Sequence, residues 1–251
     1  MPTVTPTATP TPTPTPAPTP TPSPPPKSTI VVSTALNWAG YLVASDLVNP
    51  QPIVTGVSAS WTVPTVVPTL SDAFSAVWIG IGGEFDRSLI QCGTDADSVG
   101  GQAVYSAWYE LLPQYSITID SMVISPGDQI QASITLSNAN ANQWVISLSD
   151  LTTRQSFQNT FTYGASMLSA EWIVERPNVN NVLSPLANFG TMTFTNCRAT
   201  VNSTTGTIGS FQTNQIIMHA LIRPGNEFIP LVSVSNPSAD GSSFTVSYIG
   251  A

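Results

Sequence analysis

The sequence predicts an all-β domain built as a sandwich of two packed sheets, and two observations carry that prediction. The first is a two-residue alternation of apolar and polar side chains that recurs at short spacing. Val57, Ala59, Trp61 and Val63 interleave with Ser58, Ser60 and Thr62, and Ile130, Ala132, Ile134 and Leu136 with Gln131, Ser133 and Thr135. The same period appears in Trp144, Ile146, Leu148, in Met192, Phe194, and in Phe244, Val246, Tyr248. Successive side chains of a strand point to opposite faces, so this is the pattern of half-buried antiparallel strands. The second observation is punctuation: Pro126-Gly127-Asp128, Arg223-Pro224-Gly225-Asn226 and Asp240-Gly241 are turn signals, and no long amphipathic helix lies between them. Ten or more strands in one domain imply two sheets packed face to face, with a concave face that can hold an extended ligand.

Taken in order, the chain opens on a different composition. Residues 2–26 hold twelve of the 23 prolines in Thr-Pro alternation. That composition buries no core and predicts an extended tether over residues 1–27, with one folded domain over 28–251. Met1 runs straight into this tract without the basic and apolar regions of a signal peptide, yet the tether and the low charge point to a secreted protein. Charged residues are only 8% of the chain, the net charge is -8 and Lys27 is the sole lysine. No basic patch for nucleic acid or anionic lipid can be assembled from this inventory, and no apolar run is long enough to span a membrane. A fold so poor in ionisable groups is expected to change little in stability with pH, which suits an acidic environment.

Several stretches break the alternation. Asn37-Trp38-Ala39-Gly40-Tyr41 sets aromatics beside small residues, and Ala76 to Gly83 is apolar and then glycine-rich. Leu89-Ile90-Gln91-Cys92 carries an amide inside an apolar run, where a buried glutamine must find partners. Tyr105 to Glu110 packs aromatics against an acid. Ser169 to Glu175, Ser-Ala-Glu-Trp-Ile-Val-Glu, puts Glu171, Ile173 and Glu175 on one face of a strand and Trp172 and Val174 on the other. Two acids on one side of an apolar strand need a solvated cleft or polar partners, or else simply face water.

The inventory excludes several chemistries. His219, the only histidine, sits in an apolar strand pattern, no Gly-x-Ser-x-Gly elbow accompanies it, and one histidine with two distant cysteines makes a poor zinc site. Paired Asp-Thr-Gly or Asp-Ser-Gly motifs are absent, and no phosphate-cradling glycine loop precedes a helix. No cofactor is expected. Hydrolysis by a carboxylate with an amide or a second acid remains. Cys92 and Cys197 are compatible with one disulfide or with two buried thiols.

Together these stretches form an ordered set: Asn37-Trp38, Trp78-Ile79-Gly80-Ile81, Leu89 to Asp95, Ala107 to Glu110, Ser125 to Ile130, Leu151-Thr152-Thr153, Ala170 to Glu175 and Phe194 to Cys197. In order and spacing the set resembles the glutamic peptidases, or eqolisins. The resemblance implies a concanavalin A-like double β-sandwich of two large antiparallel sheets, acting as a monomer on protein or peptide substrates at acidic pH. It implies Gln91 and Glu175 as the catalytic pair, Glu171 as a supporting acid, and Trp38, Trp78, Asp95, Trp108, Tyr109 and Glu110 around the cleft. Gly82 stands where fungal members carry an aspartate, and Arg176-Pro177 where they carry acids, which suggests a bacterial-type member with its own substrate and pH preference. The competing expectation is a carbohydrate-binding sandwich on a Pro-rich stalk, since lectins share this architecture.

Overall fold

The computed structural model describes Met1, residues 30–222 and residues 227–250. The tether expected over residues 1–27, beyond Met1, and the turn expected at 223–226 lie outside the described residues. In chain order the strands begin with β1 (Ile30–Ala35), β2 (Trp38–Ala44), β3 (Val54–Thr62), β4 (Ala76–Gly82), β5 (Leu89–Val99) and β6 (Gln102–Leu111). There follow β7 (Ile117–Thr118), β8 (Gln129–Asn138), β9 (Gln143–Asp150), β10 (Gln155–Thr162), β11 (Ser169–Glu175) and the short pair β12 (Asn178–Val179) and β13 (Val182–Leu183). The chain closes with β14 (Thr191–Val201), β15 (Thr204–Gly206), β16 (Gln212–Ile222), β17 (Glu227–Pro230), β18 (Val232–Val234) and β19 (Phe244–Tyr248). Two 3-10 turns, Ala139–Ala141 and Ile208–Ser210, are the only helical segments among the described residues, and no helix there is long and apolar enough to cross a membrane.

The strands form two large sheets. One runs β1-β16-β2-β11-β4-β5-β6-β7 with β17 attached to β16, and the other β10-β9-β8-β3-β14-β19-β18 with β15 attached to β14. Pairing is antiparallel except between β1 and β16, where Ile30 to Ala35 run parallel to Thr213 to Met218. The exception follows from threading: β16 inserts between β1 and β2, which are joined by only two residues and so flank it in opposite directions.

The alternation in the sequence becomes the layering of the sandwich. Inward residues of both sheets, among them Tyr41, Trp61, Ile79, Ile134, Trp144, Trp172, Phe194 and Phe244, make one buried core. Burial of this much aliphatic and aromatic surface is the dominant stabilising term, at roughly 25 cal/mol per Å². Buried polar ends find partners: the Trp61 indole donates to Thr94 Oγ1 at 3.0 Å, and Trp172 to the Ser58 carbonyl at 2.9 Å. Cys92 and Cys197 are free buried thiols, so no disulfide joins them, and burial pushes both thiols up. The 125–128 and 150–153 turns are tied by carboxylates, Asp128 accepting from the Ser125 amide at 2.7 Å and Asp150 from the Thr152 amide at 2.9 Å.

Candidate active site

The outer face of the larger sheet carries an open cleft of about 880 Å³. Alternation decides which side chains reach it. Trp38, Gly40 and Leu42 of β2 share that face with Glu171, Ile173 and Glu175 of β11 and with Ala76, Trp78 and Gly80 of β4. Gln91, Gly93, Asp95 and Asp97 of β5 and Ser106, Trp108 and Glu110 of β6 continue it. An apolar layer of Leu42, Ala76, Trp78, Leu89, Trp108, Ile173 and Ile216 forms the floor. The β12–β13 hairpin, whose turn residues Asn180 and Asn181 take φ of 53° and 63°, lies at one wall, and residues 112–116 at another.

Strand register fixes the geometry. Gln91 opposes Glu110 on one side and Gly80 on the other, while Glu175 opposes Ala76, which opposes Asp95. Gln91 and Glu175 therefore lie two strands apart and four residues out of register. At roughly 3.3 Å per residue and 4.8 Å per strand, a flat sheet would hold their Cα atoms roughly 16 Å apart. Both side chains nonetheless line the one cleft, and Glu110 links them: it accepts a hydrogen bond from Gln91 Nε2, and its charge acts on Glu175.

Glu175 is partly exposed and held at both oxygens, Oε1 accepting from Asn37 Nδ2 at 3.1 Å and Oε2 from Trp78 Nε1 at 2.8 Å. Burial outweighs these bonds and pushes its carboxyl up to about 7. The Trp78 ring reaches this position because two neighbouring residues lack a side chain. A Cβ on Gly80 would sit 2.8 Å from the ring of Trp78 and 2.9 Å from a Leu89 methyl, and one on Gly93 would sit 2.2 Å from the Val77 carbonyl oxygen and 2.6 Å from Trp78 Cβ. Gln91 is 4% exposed and its Oε1 accepts from no protein donor.

The remaining acids are also perturbed, burial being the first cause in each. Asp95, which accepts from Ser106 Oγ at 2.9 Å, is raised to about 6. Asp97, which accepts from the Ser75 amide at 2.9 Å and faces Asp95, is raised to about 7, and Glu110 is raised as well. Glu171 does not line the cleft. It is fully buried beyond Gly80, and burial raises it well above the usual range; the Ser169 hydroxyl lies near enough to lower it somewhat without closing a hydrogen bond, and Glu84 and Asp86 raise it further. The alternative in which both acids of this strand face water fails for Glu171, which is fully buried.

These shifts change one expectation. Few charges suggested a stability nearly independent of pH, whereas six carboxyls with raised values, those of Glu84, Asp95, Asp97, Glu110, Glu171 and Glu175, favour the folded state in acid.

Six of the nine site residues anticipated from sequence line the cleft: Trp38, Gln91, Asp95, Trp108, Glu110 and Glu175. Trp78 lies beneath them in the floor, against Glu175. Tyr109 requires a correction. It stacks on Phe157 at 5.4 Å and packs against Phe161 at 4.8 Å on the core side of β6, because a residue between Trp108 and Glu110 must face the other way. Among the cleft residues not anticipated, two lie beside the acids. Asn37 was legible as part of the Asn-Trp motif, and Asp97 only through its two-residue spacing from Asp95. Among the described residues, no cluster of three His, Cys, Asp or Glu could hold a metal ion.

Comparison with known proteins identifies the family. The chain is 30% identical to aspergillopepsin-2 of Aspergillus niger over 193 residues, covering 67% of this chain and 66% of that protein. It is 30% identical to scytalidopepsin B of Scytalidium lignicola over 226 residues, covering 85% and 78%. Crystal structures of scytalido-glutamic peptidase with a transition state analog inhibitor and of aspergilloglutamic peptidase from Aspergillus niger superpose with TM-scores of 0.68 and 0.58. Identity is 27% for the first, over 85% of this chain and 98% of that one, and 30% for the second, over 70% and 99%. The profile of the peptidase A4 family matches residues 36–248, and the chain belongs to that family, the glutamic peptidases or eqolisins.

Proposed function

We propose that this chain is an endopeptidase in which Gln91 and Glu175 activate a water between them. The observation that carries the reading is the state of the two side chains. Glu175 is a cleft carboxyl oriented by two donors and raised to about 7, and Gln91 is a buried amide with its oxygen unpartnered. Ionised Glu175 takes a proton from water, and the hydroxide adds to the scissile carbonyl carbon. One N–H of Gln91 is committed to Glu110, which orients the amide. The second N–H donates to the oxyanion and the amide oxygen accepts from the attacking water. A donor of this kind contributes about 3 kcal/mol to the transition state. Glu175 then returns its proton to the leaving nitrogen as the C–N bond breaks.

Solved relatives were crystallised with a peptide-based transition state analog and with the tripeptide Ala-Ile-His. An extended peptide or protein segment suits this cleft equally. Burial raises the Glu175 carboxyl, so the ionised base becomes scarcer as the pH falls and the rate has an acid limb. In this reading residues 28–251 form one secreted, monomeric peptidase domain presented by the Thr-Pro segment of residues 1–27. The test is digestion of a denatured protein between pH 4 and 6.5 with pepstatin present. Glu175→Gln and Gln91→Ala should each lose at least about a thousandfold in rate while remaining folded, as read from near-UV circular dichroism at the assay temperature. Full activity in either variant overturns the assignment.

A further inference from the structure

Glu175 is held by two donors, and only one of them, Trp78, sits on a paired strand of the sheet. The other, Asn37, belongs to the two-residue link Leu36-Asn37 that joins β1 to β2. Because β16 lies between those strands, the link must span two strand spacings, roughly 10 Å, in the three peptide steps from Ala35 to Trp38. Extended chain covers about the same distance in three steps, so the link has no slack. Its carbonyls are open to another element, and whatever takes them decides where Asn37 sits.

Arg176, the residue after Glu175, takes both. Its backbone amide donates to the Asn37 carbonyl at 3.0 Å, its Nε donates to the Leu36 carbonyl at 2.7 Å, and its Nη2 reaches the His219 carbonyl of β16 at 3.5 Å. One planar, permanently charged head thus ties the link to the strand it crosses, and the backbone ties it to the end of β11. The charged group that acts on the Glu175 carboxyl is Glu110, not Arg176, so the route from Arg176 to Glu175 runs through Asn37. We propose that Arg176 is a positioning residue for the Gln91–Glu175 chemistry: its guanidinium fixes the taut Leu36-Asn37 link and thereby holds the Asn37 amide on Glu175 Oε1. The proposal rests on the reading of Glu175 as the base.

Without the guanidinium the link keeps its ends, since β1 and β2 remain paired with β16, but its middle is free to rotate and Asn37 leaves Glu175. Losing a donor to the ionised carboxylate favours the neutral form, so Glu175 titrates higher and the acid limb of the rate moves up. Around the carboxyl stand Asn37, Trp38 on β2, Trp78 on β4 and, as the charged group, Glu110 on β6; of these Arg176 bonds only to Asn37. Arg176 is not among the residues lining the cleft, so substrate binding should hold.

The experiment measures kcat, KM and the pH–rate profile from pH 4 to 6.5 on a quenched fluorescent peptide, for the full chain, Arg176→Met, Asn37→Ala and the double variant. Arg176→Met keeps the aliphatic stem and removes the guanidinium, and near-UV circular dichroism at the assay temperature verifies that each variant is folded. Both single variants should lose about tenfold in kcat with KM nearly unchanged, and their acid limb should lie about half a pH unit higher. Because both act through one hydrogen bond, the double variant should lose no more than Asn37→Ala alone. An unchanged kcat and acid limb in Arg176→Met overturns the proposal, as do losses that multiply to about a hundredfold in the double variant. A lower melting temperature with parental kcat makes Arg176 merely structural and overturns it too. Full activity in Glu175→Gln would instead refute the catalytic reading, so the two failures are distinguishable.

Discussion

Moving the protein from pH 4.5 to pH 7.5 should destabilise it, and the structure gives the size. A carboxyl whose folded value exceeds its unfolded one stabilises the fold fully below the unfolded value. That contribution is lost as pH rises through the folded value. For Glu175, going from 4.5 to about 7 is worth about 3 kcal/mol at most. Asp95 and Asp97, raised from 3.8 to about 6 and about 7, act in the same direction, as do Glu110 and Glu171. The cleft acids interact and are partly solvated, so their effects do not add fully, and a combined loss of about 5 kcal/mol is expected. Against a total stability of roughly 5–15 kcal/mol this is large, and it corresponds to a fall of about 10–20 °C in Tm. Asp46, Asp150 and Asp240, lowered mainly by hydrogen bonds, work the other way and withdraw stability only as pH falls below about 4. The maximum therefore lies near pH 4 to 5. Thermal unfolding followed by tryptophan fluorescence at half-unit steps from pH 3.5 to 8 measures the curve, with Glu171→Gln as a partner sample whose slope above pH 6 should be shallower. A Tm that is flat or rises between pH 4.5 and 7.5 refutes the reasoning.

Other predictions concern the support of Glu175. Trp78→Phe removes the indole donor to Oε2, so Glu175 should titrate higher still and the acid limb of kcat/KM should move up by about one pH unit, read from a pH–rate profile. Gly93→Ala drives a methyl into the Val77 carbonyl and the Trp78 backbone and should cost about 2 kcal/mol in urea unfolding. Gly80→Ala meets only the Trp78 ring and a Leu89 methyl, so it should cost less stability but displace the ring. Its kcat should fall about tenfold with KM nearly unchanged, as expected when an interaction with the reacting groups is disturbed.

The fold was legible because its information is local. Val57 to Val63, Ile130 to Leu136 and Trp144 to Leu148 each announce a face, and each became a strand of the second sheet. The cleft strands were harder to read by period, since β4 and β11 are buried on nearly all sides and read as continuous apolar runs. Gln91 stood out as an amide in such a run. Glu171 and Glu175 could not be ranked from spacing, because alternation puts both on one face and only register across three strands separates the buried acid from the cleft acid. Tyr109 shows the converse: the rule that assigns it to the core was already present in Trp108-Tyr109-Glu110. The parallel β1–β16 pair had no local signature, since it depends on a strand nearly two hundred residues away.

The four-residue offset between Gln91 and Glu175 makes the pairing of β5, β4 and β11 a kinetic parameter. In the proposed mechanism the two groups share a solvent molecule only while these strands hold their register, and that register is backed from behind, where Trp172 and Val174 pack in the core of the sandwich. Turnover is thereby tied to residues that no ligand touches. Enzymes of this design should lose rate before they lose structure when the rear packing is loosened, which makes the interior of the sandwich as much a target for tuning catalysis as the groove itself.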